Sequence, residues 1–159
     1  MRISYGYCVI MTWEFEHSIV TSAKKQIIWE LYSRVESWTI WDHGIESVSL
    51  GGEFKEGVNG KIKSEGQELL SYKITLANPD KGFSDETVID NLGAKIEFIH
   101  TFSSLPDGKT QLTNHIIVNC PDREEMEKEI GNGISSGVPK TMENVARTAV
   151  FIEKICKLR

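Results

Sequence analysis

The sequence predicts an α+β domain in which a curved antiparallel sheet of about seven strands wraps a long C-terminal helix, with two short helices after the first strand. Three observations carry this expectation. Residues 13 to 20 alternate apolar and polar, as a strand buried on one face requires. A series of turn-punctuated strand patterns follows from Ile45 to Cys120. Residues 140 to 157 then place apolar side chains at three- and four-residue steps over roughly 27 Å, enough to cross a sheet.

In the first strand Trp13, Phe15, His17 and Ile19 share one face, and Glu14, Glu16 and Ser18 share the other. Thr21 and Ser22 then suit the N-cap of a helix over Lys24 to Val35, whose Ile27, Ile28, Leu31, Tyr32 and Val35 follow helical spacing. Glu36 to Asp42, with two tryptophans, reads as a short second helix or turn. Gly51-Gly52, Gly57, Gly60 and Gly66 punctuate hairpins. Glu68 to Ala77 alternates with Leu70, Tyr72, Ile74 and Leu76 on one face, and Phe83 to Asp90 reads as a further strand. From Ala94 to Ser103, Ala94, Ile96, Phe98, His100 and Phe102 face inward. Pro106-Asp107-Gly108 supplies a turn before the last strand, Thr110 to Cys120. Asp122 to Ile130 reads as helical, Gly131 to Pro139 as an interruption, and Met142, Val145, Ala149, Ile152 and Cys156 as the stripe of the final helix. A bent sheet holding one helix leaves volume between them, and that space is a natural ligand site.

Bulk composition narrows the function. With 159 residues, 40% hydrophobic and 26% charged, the chain reads as one globular domain. A net charge of −5 argues against a nucleic-acid partner, which needs a cationic face. Apolar runs such as Tyr7 to Met11 fall far short of the ~20 residues of a membrane span. Cys8, Cys120 and Cys156 show no metal or disulfide spacing and suit reduced thiols in a cytoplasmic protein. Residues 1 to 12 read as an N-terminal extension, the product of a start codon assigned too early, ahead of a single domain over 13 to 159.

Phe15 to Val20, Ile28-Trp29-Glu30-Leu31-Tyr32, Val35 to Asp42, Gly52 to Gly57 and Phe98-Ile99-His100 occur in an order that resembles the START-like (SRPBCC) superfamily. This is the helix-grip fold of the major birch pollen allergen, and the match is to its polyketide cyclase/dehydrase branch over about Trp13 to Lys157. The resemblance implies that Gly131 to Pro139 stays helical. It implies a function only broadly, because such folds carry hydrophobic ligands, cyclise polyketides or assist chaperones.

The candidate ligand-binding residues are Trp38, Trp41, Phe54, Tyr72, Phe83, Phe98, His100, Phe102, Met142 and Val145. Ordinary core packing accounts equally well for any single aromatic. His100 and Tyr72 are the candidates for proton transfer, since imidazole titrates near neutrality. Hydrogen-bonded core histidines are the plainer account of His17, His100 and His115, although the first and last strands are neighbours in a helix-grip sheet and would let His17 approach His115. Asp42, His43 and Glu46, and equally Asp85 and Glu86, read as solvated groups. No metal site, cofactor fingerprint or nucleophilic triad is present, so no cofactor is expected. The leading expectation is a module that binds a small hydrophobic or aromatic molecule in an apolar cavity between sheet and helix. The alternatives are a polyketide cyclase/dehydratase using the same pocket, and a chaperone-activator-like protein using the outer sheet face.

Overall fold

Apolar-polar alternation becomes strand β1 (Met11–Thr21), whose even-numbered residues up to Val20 are exposed and whose odd-numbered ones up to Ile19 are half-buried. The computed structural model describes residues 9–122, 124 and 126–158, with the side chain of residue 129 left aside. The strand starts two residues ahead of the expected domain boundary. Met11 and Thr12 pair with Cys120 and Asn119, and the Thr12 hydroxyl donates to Asn119 Oδ1 at 2.8 Å. The remainder of the expected extension, residues 1–8, lies outside the described residues.

Helix α1 (Lys25–Ser33) is shorter than its periodicity suggests, and its N-cap is Lys24, without a side-chain bond. Thr21 does not cap it because Thr21 is still in the strand, opposite Thr110, and its hydroxyl accepts from Ala23 N at 3.2 Å. The helix stops where the next turn takes over its last carbonyls. Ser37 Oγ donates to Leu31 O at 2.8 Å, and Trp38 Nε1 donates to Tyr32 O at 2.9 Å. A 3₁₀ turn (Val35–Ser37) leads into α2 (Trp38–Trp41).

The hairpins follow as β2 (Ile45–Leu50), β3 (Asn59–Ser64), β4 (Leu69–Asn78), β5 (Gly82–Ile89), β6 (Ala94–Ser104) and β7 (Thr110–Cys120). The seven strands of the described residues form one antiparallel sheet in the order β1-β7-β6-β5-β4-β3-β2, so β1 closes against β7. Among these residues the register shifts at two places, one of them between Ile45 and Ser47 in β2 and the other in β4. The β4 shift falls between Ile74 and Leu76, so Ile74 is fully buried while Leu76 turns outward at 41% exposure, contrary to the single face expected for β4.

The tail is helical rather than interrupted. A π-helical turn (Met126–Gly131) runs into α3 (Asn132–Ser135) and then α4 (Val138–Lys157). Pro139 sits in the first turn of α4, where its missing N–H has no helical partner to lose. Helix α4 buries Met142, Val145 and Ala149, while Cys156, expected on the same stripe, is exposed. Asn144 Nδ2 donates to Trp41 O at 3.1 Å and joins α4 to α2.

Candidate ligand site on the concave face

Strand register sets out the inner face as rows of facing residues. One row runs His17, Asn114, His100, Phe83 across β1, β7, β6 and β5. The next runs Phe15, Ile116, Phe98, Asp85, Ile74, ending on β4. Polar side chains therefore stand in the middle of an apolar concavity.

His100 is the expected inward histidine, and the structure defines its state. Its Nδ1 lies 3.0 Å from Asn114 Oδ1. An amide oxygen only accepts, so in this arrangement Nδ1 carries the proton and Nε2 carries the lone pair. The ring stacks on Phe83 at 4.4 Å with planes 13° apart, and Tyr32 lies 5.6 Å away. Burial lowers its pKa to about 4, against the opposing pull of the Asn114 bond, so the imidazole is neutral at physiological pH. The residue is half-buried, as is Phe98 on the same strand face.

Asp85 corrects the sequence reading. It is not solvated; it is 7% exposed, directed inward between Ile74 and Phe98, with no hydrogen-bond partner among the described residues. Burial, with a smaller contribution from the like charge of Glu97, raises its pKa to about 8. Its strand mates explain the orientation. Phe83, Asp85 and Thr87 occupy alternate positions, all buried, on one face of β5. Among the described residues, the side-chain polar atom shut off from solvent without a partner is Trp41 Nε1, whereas the Asp85 carboxyl keeps slight solvent contact.

The other expected lining residues pack mainly on one another. Trp38, Trp41, Tyr72, Phe83, Phe102, Met142 and Val145 are each 4% exposed or less. Trp38 stacks on Phe83 at 5.5 Å, and Tyr32 meets Phe83, Trp41 and Phe102 within 6.2 Å. Phe54, half-buried in the loop after β2, closes on Phe83 at 5.3 Å and Trp38 at 6.4 Å. This interlocked aromatic cluster fills the α2 side of the concavity. What accessible inner surface there is on β6 belongs to Phe98 and His100.

Tyr72 is not available for proton transfer in this arrangement. Its hydroxyl donates to Ser49 O at 2.9 Å, and burial, with Asp85 and Glu36 adding to it, holds its pKa well above the ordinary phenol value. His17 and His115 do not approach as expected, because the register places His17 opposite Asn114 and turns His115 to the outer face. There His115 Nε2 meets Glu14 Oε2 at 2.9 Å. Asp42 Oδ1 accepts from Gly44 N at 3.0 Å, and burial raises its pKa, so it shapes the turn before β2. Glu46 pairs with Lys63. Among the described residues no cluster of three metal-ligating side chains occurs. Cys120 is a buried free thiol and Cys156 an exposed one, and Cys8 lies outside the described residues. Nor is any helix of the described residues long and apolar enough to cross a membrane.

No family model and no curated protein matches the chain. Solved structures do match in fold. The chain is similar to the crystal structure of Ara h 8.0201, with a TM-score of 0.72 and 11% identity over 88% of this chain and 99% of that one. It is similar to truncated norcoclaurine synthase from Thalictrum flavum, with a TM-score of 0.70 and 13% identity over 87% and 94% of the two chains. A further structure of that synthase, in complex with dopamine and hydroxybenzaldehyde, gives 0.69 and 12% over 89% and 88%. These likenesses establish the helix-grip fold expected from the sequence.

Proposed function

We propose that this protein binds a small aromatic molecule on the concave face, its flat body against Phe98 and the aromatic cluster and its polar group toward Asp85 and His100. The observation that carries the reading is Asp85, a buried, inward carboxyl with no partner among the described residues. A ligand hydrogen bond to a carboxyl so placed contributes roughly 0.5–1.5 kcal/mol net. With a pKa near 8, Asp85 is protonated at neutral pH and offers an O–H donor. His100 Nε2 offers an acceptor. A phenol or hydroxy-ketone matches that pair. Burying ~150 Å² of ring at ~25 cal/mol per Å² contributes about 4 kcal/mol toward binding, before association costs are met.

Binding is favoured over cyclisation or dehydration. A histidine with a pKa near 4 is a weak proton acceptor at neutral pH, and the Tyr72 hydroxyl is engaged with backbone. The test is a fluorescence titration with phenylnaphthylamine as the neutral probe, displaced by naphthol. Saturable binding is expected, and Asp85→Leu is expected to weaken naphthol about tenfold while leaving naphthalene unchanged. Absence of saturable probe binding to the native protein, together with no small molecule retained in native mass spectra of protein from its own cells, defeats the proposal.

A further inference from the structure

Four of the ten large apolar side chains left exposed among the described residues lie together at one place. On the last turns of α4, Phe151 is 62% exposed, Ile155 40% and Leu158, just past the helix, 88%. Steps of four and three residues put them on one helical face. Met142, Val145 and Ala149 are buried on the other side of the same helix, so this stripe points away from the sheet. Val20, at the end of β1, adds a fourth exposed apolar group at 55%, and its neighbour Thr21 lines the adjoining groove. That groove, about 360 Å³, is formed by Thr21, Ala146, Arg147, Val150, Phe151 and Lys154.

Charge on this face opposes the charge of the chain. The protein carries −5 overall, yet the stripe is flanked by Arg147, Lys154 and Lys157, none of which makes an ion pair among the described residues. We propose that this face docks on an anionic bilayer surface, with Phe151, Ile155 and Leu158 entering the interface and the three cations meeting lipid headgroups. An apolar helical face bordered by Lys and Arg is the arrangement that lies in a headgroup layer. A stable protein partner needs about 800 Å² from each side, more than four exposed side chains provide. This inference is independent of the concave-face ligand.

Vesicle co-sedimentation at low salt decides it, using phosphatidylcholine alone or with about one-third phosphatidylserine. Binding is expected to the phosphatidylserine vesicles only and to weaken as salt rises. Removing one cation is expected to lower partitioning about fivefold, so Arg147→Gln with Lys154→Gln lowers it about 25-fold. Phe151→Ser is expected to lower it about tenfold. These positions are exposed, and unchanged thermal melts of each variant verify the fold. Three outcomes overturn the proposal: no binding to phosphatidylserine vesicles, equal binding to neutral vesicles, or a cation variant that partitions like the parent. A concentration-dependent dimer that Phe151→Ser abolishes also overturns it, since the face would then be an interface between copies.

Discussion

Replacing Asp85 by Asn removes one titrating group and keeps its shape, so it reads out how the carboxyl is held. The folded pKa of about 8 stands above the ordinary 3.8. A raised acid pKa means that the folded state binds a proton which the unfolded state has released. Its contribution to stability is therefore full below about pH 4 and is lost as pH rises toward 8. Between those limits the loss is about 1.4 kcal/mol per pH unit, the value of one proton. The Asn variant lacks this slope and carries instead a constant offset for its buried amide. Urea unfolding of both proteins, followed by tryptophan fluorescence, isolates the group in the difference between them. From about pH 5 to pH 7 that difference is expected to shift by ~2.7 kcal/mol in favour of the variant. Parallel stability curves over that range would falsify the burial argument for Asp85, and with it the reason to expect a neutral donor in the site.

The same unfolding series tests His100 with the opposite sign. Its pKa, lowered to about 4, means that stability present above 6.5 is lost on acidification toward 4. His100→Gln, which still reaches Asn114, is expected to gain about 1.4 kcal/mol relative to the parent per pH unit of acidification between roughly pH 6 and pH 5; no gain rules out an imidazole held neutral in the fold. The shifted register in β4 makes neighbouring apolar residues unequal. Ile74→Ala is expected to cost ~2–5 kcal/mol and Leu76→Ala under ~1 kcal/mol in chemical denaturation, and comparable costs would mean that the strand alternates without a shift.

Periodicity made most of the architecture legible. The inner face of β6, with Ala94, Ile96, Phe98, His100 and Phe102, is the one expected, because a strand packed on one side repeats every two residues. The α4 stripe is likewise legible through Met142, Val145 and Ala149. Features that depend on a neighbour were not. The shift after Ile74 is a property of the β4–β5 pair, and the separation of His17 from His115 depends on a one-residue register. The end of α1 is set by Ser37 and Trp38, which reach back from a different element. Asp85 was misread for another reason. Its type usually marks a solvated position, yet alternation with Phe83 and Thr87 already pointed inward, and that pattern outweighs residue preference.

The partnership of β1 with β7 has a consequence for synthesis. Ser18 and Thr113 bond at 2.7 Å although 95 positions separate them, and among the described residues β1 has no other neighbour in the sheet. At about 5–20 residues per second, a ribosome releases β1 roughly 5–20 s before its partner exists. Trp13, Phe15 and Ile19 therefore wait uncovered while the later hairpins form, a delay in which nascent-chain chaperones have something to hold. Polar substitutions there are expected to change the yield of native protein in cells more strongly than its equilibrium stability, with soluble yield against urea midpoint as the comparison.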